Sequence, residues 1–204
     1  SNTYDSGPIT QTTWFIRVVS NSVSGIPCTV ANTTPIQVTV NNINPGAIAS
    51  TQTICSGGDP ALLTSTTAGT GSGTITYQWQ SNITGCGGVF TNIPGAFGAT
   101  YDPPAGLLAT TYYRRMTTST IGANACIDYS NCVTVFVNSV TSGTIASDQT
   151  LCGNNPAAFT ESVAATAAGT LTYQWQISTN GCGGTWNNIG GATSATYDPP
   201  AGVT

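Results

Sequence analysis

TYQWQ at Thr76–Gln80 returns at Thr172–Gln176, and its neighbours return with it. GCGG recurs at Gly85–Gly88 and Gly181–Gly184, and ATYDPPAG at Ala99–Gly106 and Ala195–Gly202. IAS-x-QT-x-C occurs at Ile48–Cys55 and at Ile145–Cys152. A third set joins the start of the chain to its middle. TTWFIR at Thr12–Arg17 matches TTYYRR at Thr110–Arg115, Cys28 matches Cys126, and IQVTVN at Ile36–Asn41 matches VTVFVN at Val133–Asn138. The shifts cluster near 97 residues. A fixed period of this kind constrains a fold more than any single motif, because each copy must repeat one supersecondary unit. The expected organisation is the second half of a repeat over 1–42, a complete repeat over 43–138 and the first part of another over 139–204. On this reading the chain is a window onto a longer array.

A period near 97 is the size of one immunoglobulin-like sandwich. Strand signals follow at spacings of 8–12 residues. They fall at Gly46–Ser50 continuing with a kink into QTIC, at Ala61–Thr66, Thr74–Gln80, Val89–Ile93 and Ala99–Asp102, and at Thr110–Thr117 and Cys132–Val137. Turn chemistry separates them: SGGDP, TGCGG, IPGA and DPPAG. No segment offers ten residues of helical periodicity. The predicted class is all-β: tandem immunoglobulin-like β-sandwich repeats of about 97 residues, joined by short linkers into an end-to-end rod. Trp79 and its counterpart Trp175 are the expected core aromatics. Tyr77, Phe90, Tyr101, Tyr112, Tyr113 and Trp186 alternate with polar residues. They read first as core and cross-strand packing, and second as rings on which sugars could stack. Arg114 and Arg115 alternate faces, so at least one should be solvated.

Charge narrows the function. The chain has three Arg, no Lys and no His, and seven acidic residues. Nucleic-acid binding needs several cations on the phosphates, and three do not supply it. Without His there are no Ser–His or Cys–His nucleophile pairs and no His metal sites. Without Lys there is no Schiff-base or P-loop chemistry. The acidic residues are too dispersed for a calcium cage. The expectation is a non-enzymatic chain with no cofactor, no metal site and no catalytic residues. No apolar run reaches the length of a membrane span, so membrane insertion is not expected.

Seven Cys suggest an oxidising compartment. The complete repeat holds Cys55, Cys86, Cys126 and Cys132, for which three pairings exist. The first segment keeps Cys28, the match of Cys126, but has Pro35 where Cys132 would fall. That favours Cys55–Cys126 with Cys86–Cys132. In a simple sandwich, however, the Cys55 and Cys86 loops lie at one end and the Cys126 loop at the other, so Cys55–Cys86 stays as the alternative. Cys28, Cys152 and Cys182 would find partners beyond this chain.

QTICSGGDP, TYQWQ, NGCGGTWNNIGGATSATYDPPAG, TTYYRR and VTVFVN together resemble the Ig-like repeats of giant surface proteins of Bacteroidota, the flavobacterial gliding-motility adhesins among them. The resemblance covers the whole chain. It implies type IX export, an extracellular cell-surface location and a filament-like stalk mediating attachment and gliding. It brings no site residues. The implied partners are neighbouring repeats of the same chain, surface polysaccharide, or other chains of a filament. Two further readings stand beside it: a structural subunit of an extracellular fibre or sheath, and a carbohydrate-binding or spacer repeat of a secreted polysaccharidase.

Overall fold

The computed structural model of the chain describes residues 3–146, 148–152 and 155–201, with the backbone alone over 27–32. Among the described residues every regular element is a strand, and the strands form one larger sheet and several two-stranded ones, consistent with a β-sandwich. Two compact units result. One gathers Ser1–Gln52, Pro60–Pro104 and Thr110–Val135; the other gathers Thr53–Asp59, Ala105–Ala109 and Phe136–Thr204.

Over residues 43–138 the strands are β1 (Ile43–Asn44), β2 (Ala47–Ala49), β3 (Gln52–Cys55), β4 (Thr64–Thr67) and β5 (Thr70–Gly71). They continue with β6 (Thr74–Asn82), β7 (Thr91–Asn92), β8 (Thr111–Ile121), β9 (Asn124–Tyr129) and β10 (Val133–Asn138). The main sheet runs β7-β6-β8-β10-β3, with β9 paired to the distal half of β8. The smaller pairs are β2–β4 and β1–β5, and a bridge joins Leu63 to Tyr101.

The kink expected in the first strand is a change of sheet. Ser50 adopts φ 89° between β2 and β3. A non-glycine residue rarely takes that conformation. It breaks the strand, so β2 pairs with β4 while β3 joins β10. The predicted fifth strand shrinks to the Tyr101 bridge, because Pro103 and Pro104 have no N–H to continue a ladder. The sixth strand overruns its predicted end. β8 reaches Ile121, turns at Gly122 and returns as β9, a strand the sequence reading missed.

Burial along β8 alternates without a break. Thr111, Tyr113, Arg115, Thr117 and Ser119 are buried and the residues between them are half-buried. Ile48, Leu63, Trp79, Tyr113, Val133 and Val135 form the apolar part of the core. Trp79 is fully buried, as expected; its indole N–H donates to Gly98 O at 2.9 Å and its ring lies 5.6 Å from that of Tyr101.

The described residues of 139–201 repeat part of this pattern. Thr144–Ala146 pairs with Thr160–Val163 as β2 pairs with β4, and Val140–Thr141 pairs with Thr166–Ala167 as β1 with β5. Gln176–Ile177 pairs with Asn187–Asn188 as β6 with β7, and Phe159 bridges Tyr197 as Leu63 bridges Tyr101. Side chains agree: the Gln52 amide and the Ala61 backbone exchange two hydrogen bonds, and so do Gln149 and Ala157. Trp175 stacks on Phe159 at 5.8 Å and donates to Ser194 O, yet it is only part-buried. Among the described residues of 139–201 no strand pairs along the Trp175 segment as β8 pairs with β6.

Candidate functional site

The most built feature of the molecule is a buried cation. Arg115 has no solvent exposure. Its Nη1 donates to Ser65 Oγ at 2.8 Å and Ala99 O at 2.9 Å; its Nη2 donates to Pro45 O and Thr67 O, each at 3.2 Å. The guanidinium lies 4.3 Å over the Tyr77 ring. All four acceptors are neutral, and no carboxylate is among them. Burial pushes the Arg115 pKa below its usual value, with Tyr77 acting in the opposite direction. An arginine keeps its proton regardless. The charge is therefore met by oriented carbonyl dipoles and a π-face. Arg115 Nε has no hydrogen-bond partner.

The polar row continues along β8. Thr117 Oγ1 donates to Pro45 O at 2.9 Å, and Ser119 Oγ to Asn41 Oδ1 at 2.6 Å. Together Arg115 and Thr117 tie the main sheet to β4 and to the turn before β2. The expectation of a solvated arginine is not met. Arg114 is half-buried between the rings of Phe90 and Tyr129, at 4.3 and 3.9 Å, and donates to Gln80 Oε1. Residue parity held the signal that Arg115 points inward: it lies two positions after Tyr113, and its counterpart Arg17 follows Phe15 in the same way.

Cys86 and Cys132 are joined by a disulfide with Cα atoms 5.8 Å apart. It ties the loop after β6 to the start of β10. The Cys55–Cys126 bond does not form; both are free thiols. The topology explains this correction. Cys126 stands opposite Ser119 in the distal half of β8. Cys55 closes β3, next to β10, and β10 pairs only with the proximal end of β8, Thr111–Tyr113. Two cysteines bridge only when their Cα atoms come within about 7 Å. The alternative Cys55–Cys86 pairing is excluded by the same disulfide. Cys152 and Cys182 are exposed thiols. The side chain of Cys28 lies outside the described residues.

The other aromatic candidates divide. Tyr113 and Phe90 are buried; Tyr77, Tyr101 and Tyr112 are half-buried; Trp186 is 47% exposed. Burial, with the nearby Tyr101 adding to it and a Thr111 hydrogen bond opposing it, pushes the Tyr113 hydroxyl up to about 12. Ile75, Tyr77, Phe97 and Met116 line a shallow groove of about 470 Å³ on the main sheet. Among the described residues no three His, Cys, Asp or Glu side chains gather where a metal could be held. No described helix is long and apolar enough to cross a membrane.

These ties define a class of protein: a disulfide-bonded all-β domain whose most elaborate chemistry holds its own sheets together. The family follows from sequence. The chain belongs to the family described as Domain of unknown function (DUF8696), whose sequence model matches residues 44–139 and 141–204. No curated protein and no solved structure matches the chain.

Proposed function

We propose that this chain is a non-enzymatic stalk segment of a large extracellular adhesin, built of Ig-like sandwiches in series with boundaries near residues 43, 138 and 139. The observation that carries the reading is recurrence. Strand pairings, side-chain hydrogen bonds and aromatic contacts of residues 43–102 reappear over 139–198, and the two family matches begin 97 residues apart. The Cys86–Cys132 disulfide supports an oxidising compartment outside the cytoplasm. The resemblance to gliding adhesins of Bacteroidota supports the cell surface and a role in attachment. Such a segment holds binding sites away from the cell, and many weak sites in one array bind by avidity.

Live-cell imaging with a fluorescent Fab raised against residues 43–138 tests the proposal. The expected result is labelled surface filaments and loss of attachment or gliding when Fab is in excess. A static coat with attachment unaffected would replace the adhesin reading with that of a structural fibre.

A further inference from the structure

Cys55 and Cys126 stay as thiols in a chain that has formed one disulfide, and they fall in different compact units. Cys126 groups with the residues that precede the complete repeat. It stands opposite Ser119. Asn41 Nδ2 donates to Ser119 O at 2.6 Å and to Asn124 O at 3.4 Å. Asn41 ends IQVTVN, the final strand pattern of the preceding repeat. Cys126 therefore sits where its own repeat receives the end of the one before it.

Cys55 groups instead with the residues that follow. The N–H of Ser56, its neighbour, donates to Asn138 O at 2.9 Å. Asn138 ends VTVFVN and is the counterpart of Asn41. The two junctions share their local geometry. Ser72 N–H donates to Asn42 O at 3.0 Å, and Ala168 N–H to Ser139 O at 3.0 Å. Gly46 and Gly143 take φ 71° and 67°, and a Cβ on either would collide with a backbone carbonyl, of Thr67 or Val163. A junction asparagine thus has a Cys55-type residue beside it in the repeat that it ends. It has a Cys126-type residue beside it in the repeat that it leads into.

We infer that the Cys55-type cysteine of each repeat forms a disulfide with the Cys126-type cysteine of the repeat that follows, so that every junction of the array carries a covalent staple. The inference rests on the array reading of the proposed function. The opposite register would join Cys126 to Cys152, and pairing within one repeat would join Cys55 to Cys126; all three are free thiols. In the inferred register each of them takes its partner from a repeat outside this chain. In forming the bond the two thiols lose two protons and two electrons. A protein disulfide of the export compartment accepts them by thiol–disulfide exchange and becomes a dithiol. The staple carries tension across the linker in parallel with its hydrogen bonds.

Disulfide mapping of the native full-length protein tests this. The protein is isolated from its cells with free thiols alkylated at lysis, digested without reduction, and its linked peptides are sequenced by mass spectrometry. The expected linkage joins the TQTICSGGDP peptide of Cys55 to an ACIDY-like peptide encoded after Thr204, and it vanishes on reduction. In a Cys55→Ser protein that later cysteine becomes alkylated while Cys86–Cys132 persists. Finding Cys55 linked to Cys126, Cys126 linked to Cys152, or Cys55 and Cys126 alkylated beside an intact Cys86–Cys132 bond overturns the inference. If the native chain lacks a TTYYRR…ACIDY pattern after Thr204, the array reading falls and the inference falls with it. If the pattern is present and its cysteine is alkylated, the inference alone falls.

Discussion

Arg115 is the residue on which the packing of β8 against β4 turns. Removing one side of a buried polar tie leaves its partners unsatisfied, which costs more than the tie contributes. Arg115→Ala should lower unfolding stability in urea by about 3–5 kcal/mol, since it strands the acceptors on Pro45, Ser65, Thr67 and Ala99 together. Arg115→Lys keeps the charge but loses the fork, so the loss should be smaller, about 1–3 kcal/mol. A loss below about 0.5 kcal/mol for the alanine variant would contradict the role, because that is the ordinary range for a surface substitution. Tyr113 gives a pH signature. Its folded pKa lies at about 12, above the ordinary 10.0, because the core disfavours phenolate. The raised value means that its contribution is complete below pH 10 and is lost as pH rises towards about 12. Stability measured from pH 8 to 12 should fall in that window, and Tyr113→Phe should flatten the fall. Sequence reasoning found Trp79 because a tryptophan in an alternating strand has one natural destination. It missed Arg115 because an arginine in a strand reads as solvated unless its neutral acceptors are seen, and those come from residues 16 to 70 positions away.

At the scale of the element, apolar alternation and turn residues made most strands legible. β6 and β10 fall almost where TITYQWQ and VTVFV put them. The distal half of β8 and β9 did not: the inward positions of that half are Thr117 and Ser119 rather than apolar residues, and no residue of β9 is buried. A polar core erases the periodicity that marks a strand. The cysteine pairing was half legible: one bond follows from the copies, while the fate of Cys55 and Cys126 depends on which end of the sheet each occupies. Two predictions belong here. The Cys86–Cys132 bond closes a loop with a sequence separation of 46. Reducing it, or Cys86→Ser, should cost about 4 kcal/mol in the chain-entropy account, read as a lower urea midpoint. Gly46→Ala should cost about 1–3 kcal/mol, since the site combines φ 71° with a collision at Thr67 O. Gly57→Ala separates the two causes: it has φ 78° with open space around it, and should cost less.

For the whole molecule the sequence was most informative where it copied itself. The recurrence of Gln52–Ala61 contacts at Gln149–Ala157, one residue closer in sequence, and of the Trp79 indole bond at Trp175, shows that copied segments rebuild the same local geometry even where the intervening chain is a residue shorter. On the stalk function proposed above, each repeat bears load on its own ties. The most direct test is single-molecule pulling of the full-length protein under reducing conditions. The prediction is a train of unfolding steps of equal length, each releasing the contour of one repeat, about 97 residues at roughly 3.3–3.6 Å apiece. Arg115→Ala in one repeat should lower the force of one step and leave the others unchanged. Steps of unequal length, or extension without steps, would contradict the claim that the chain is a series of independent load-bearing repeats.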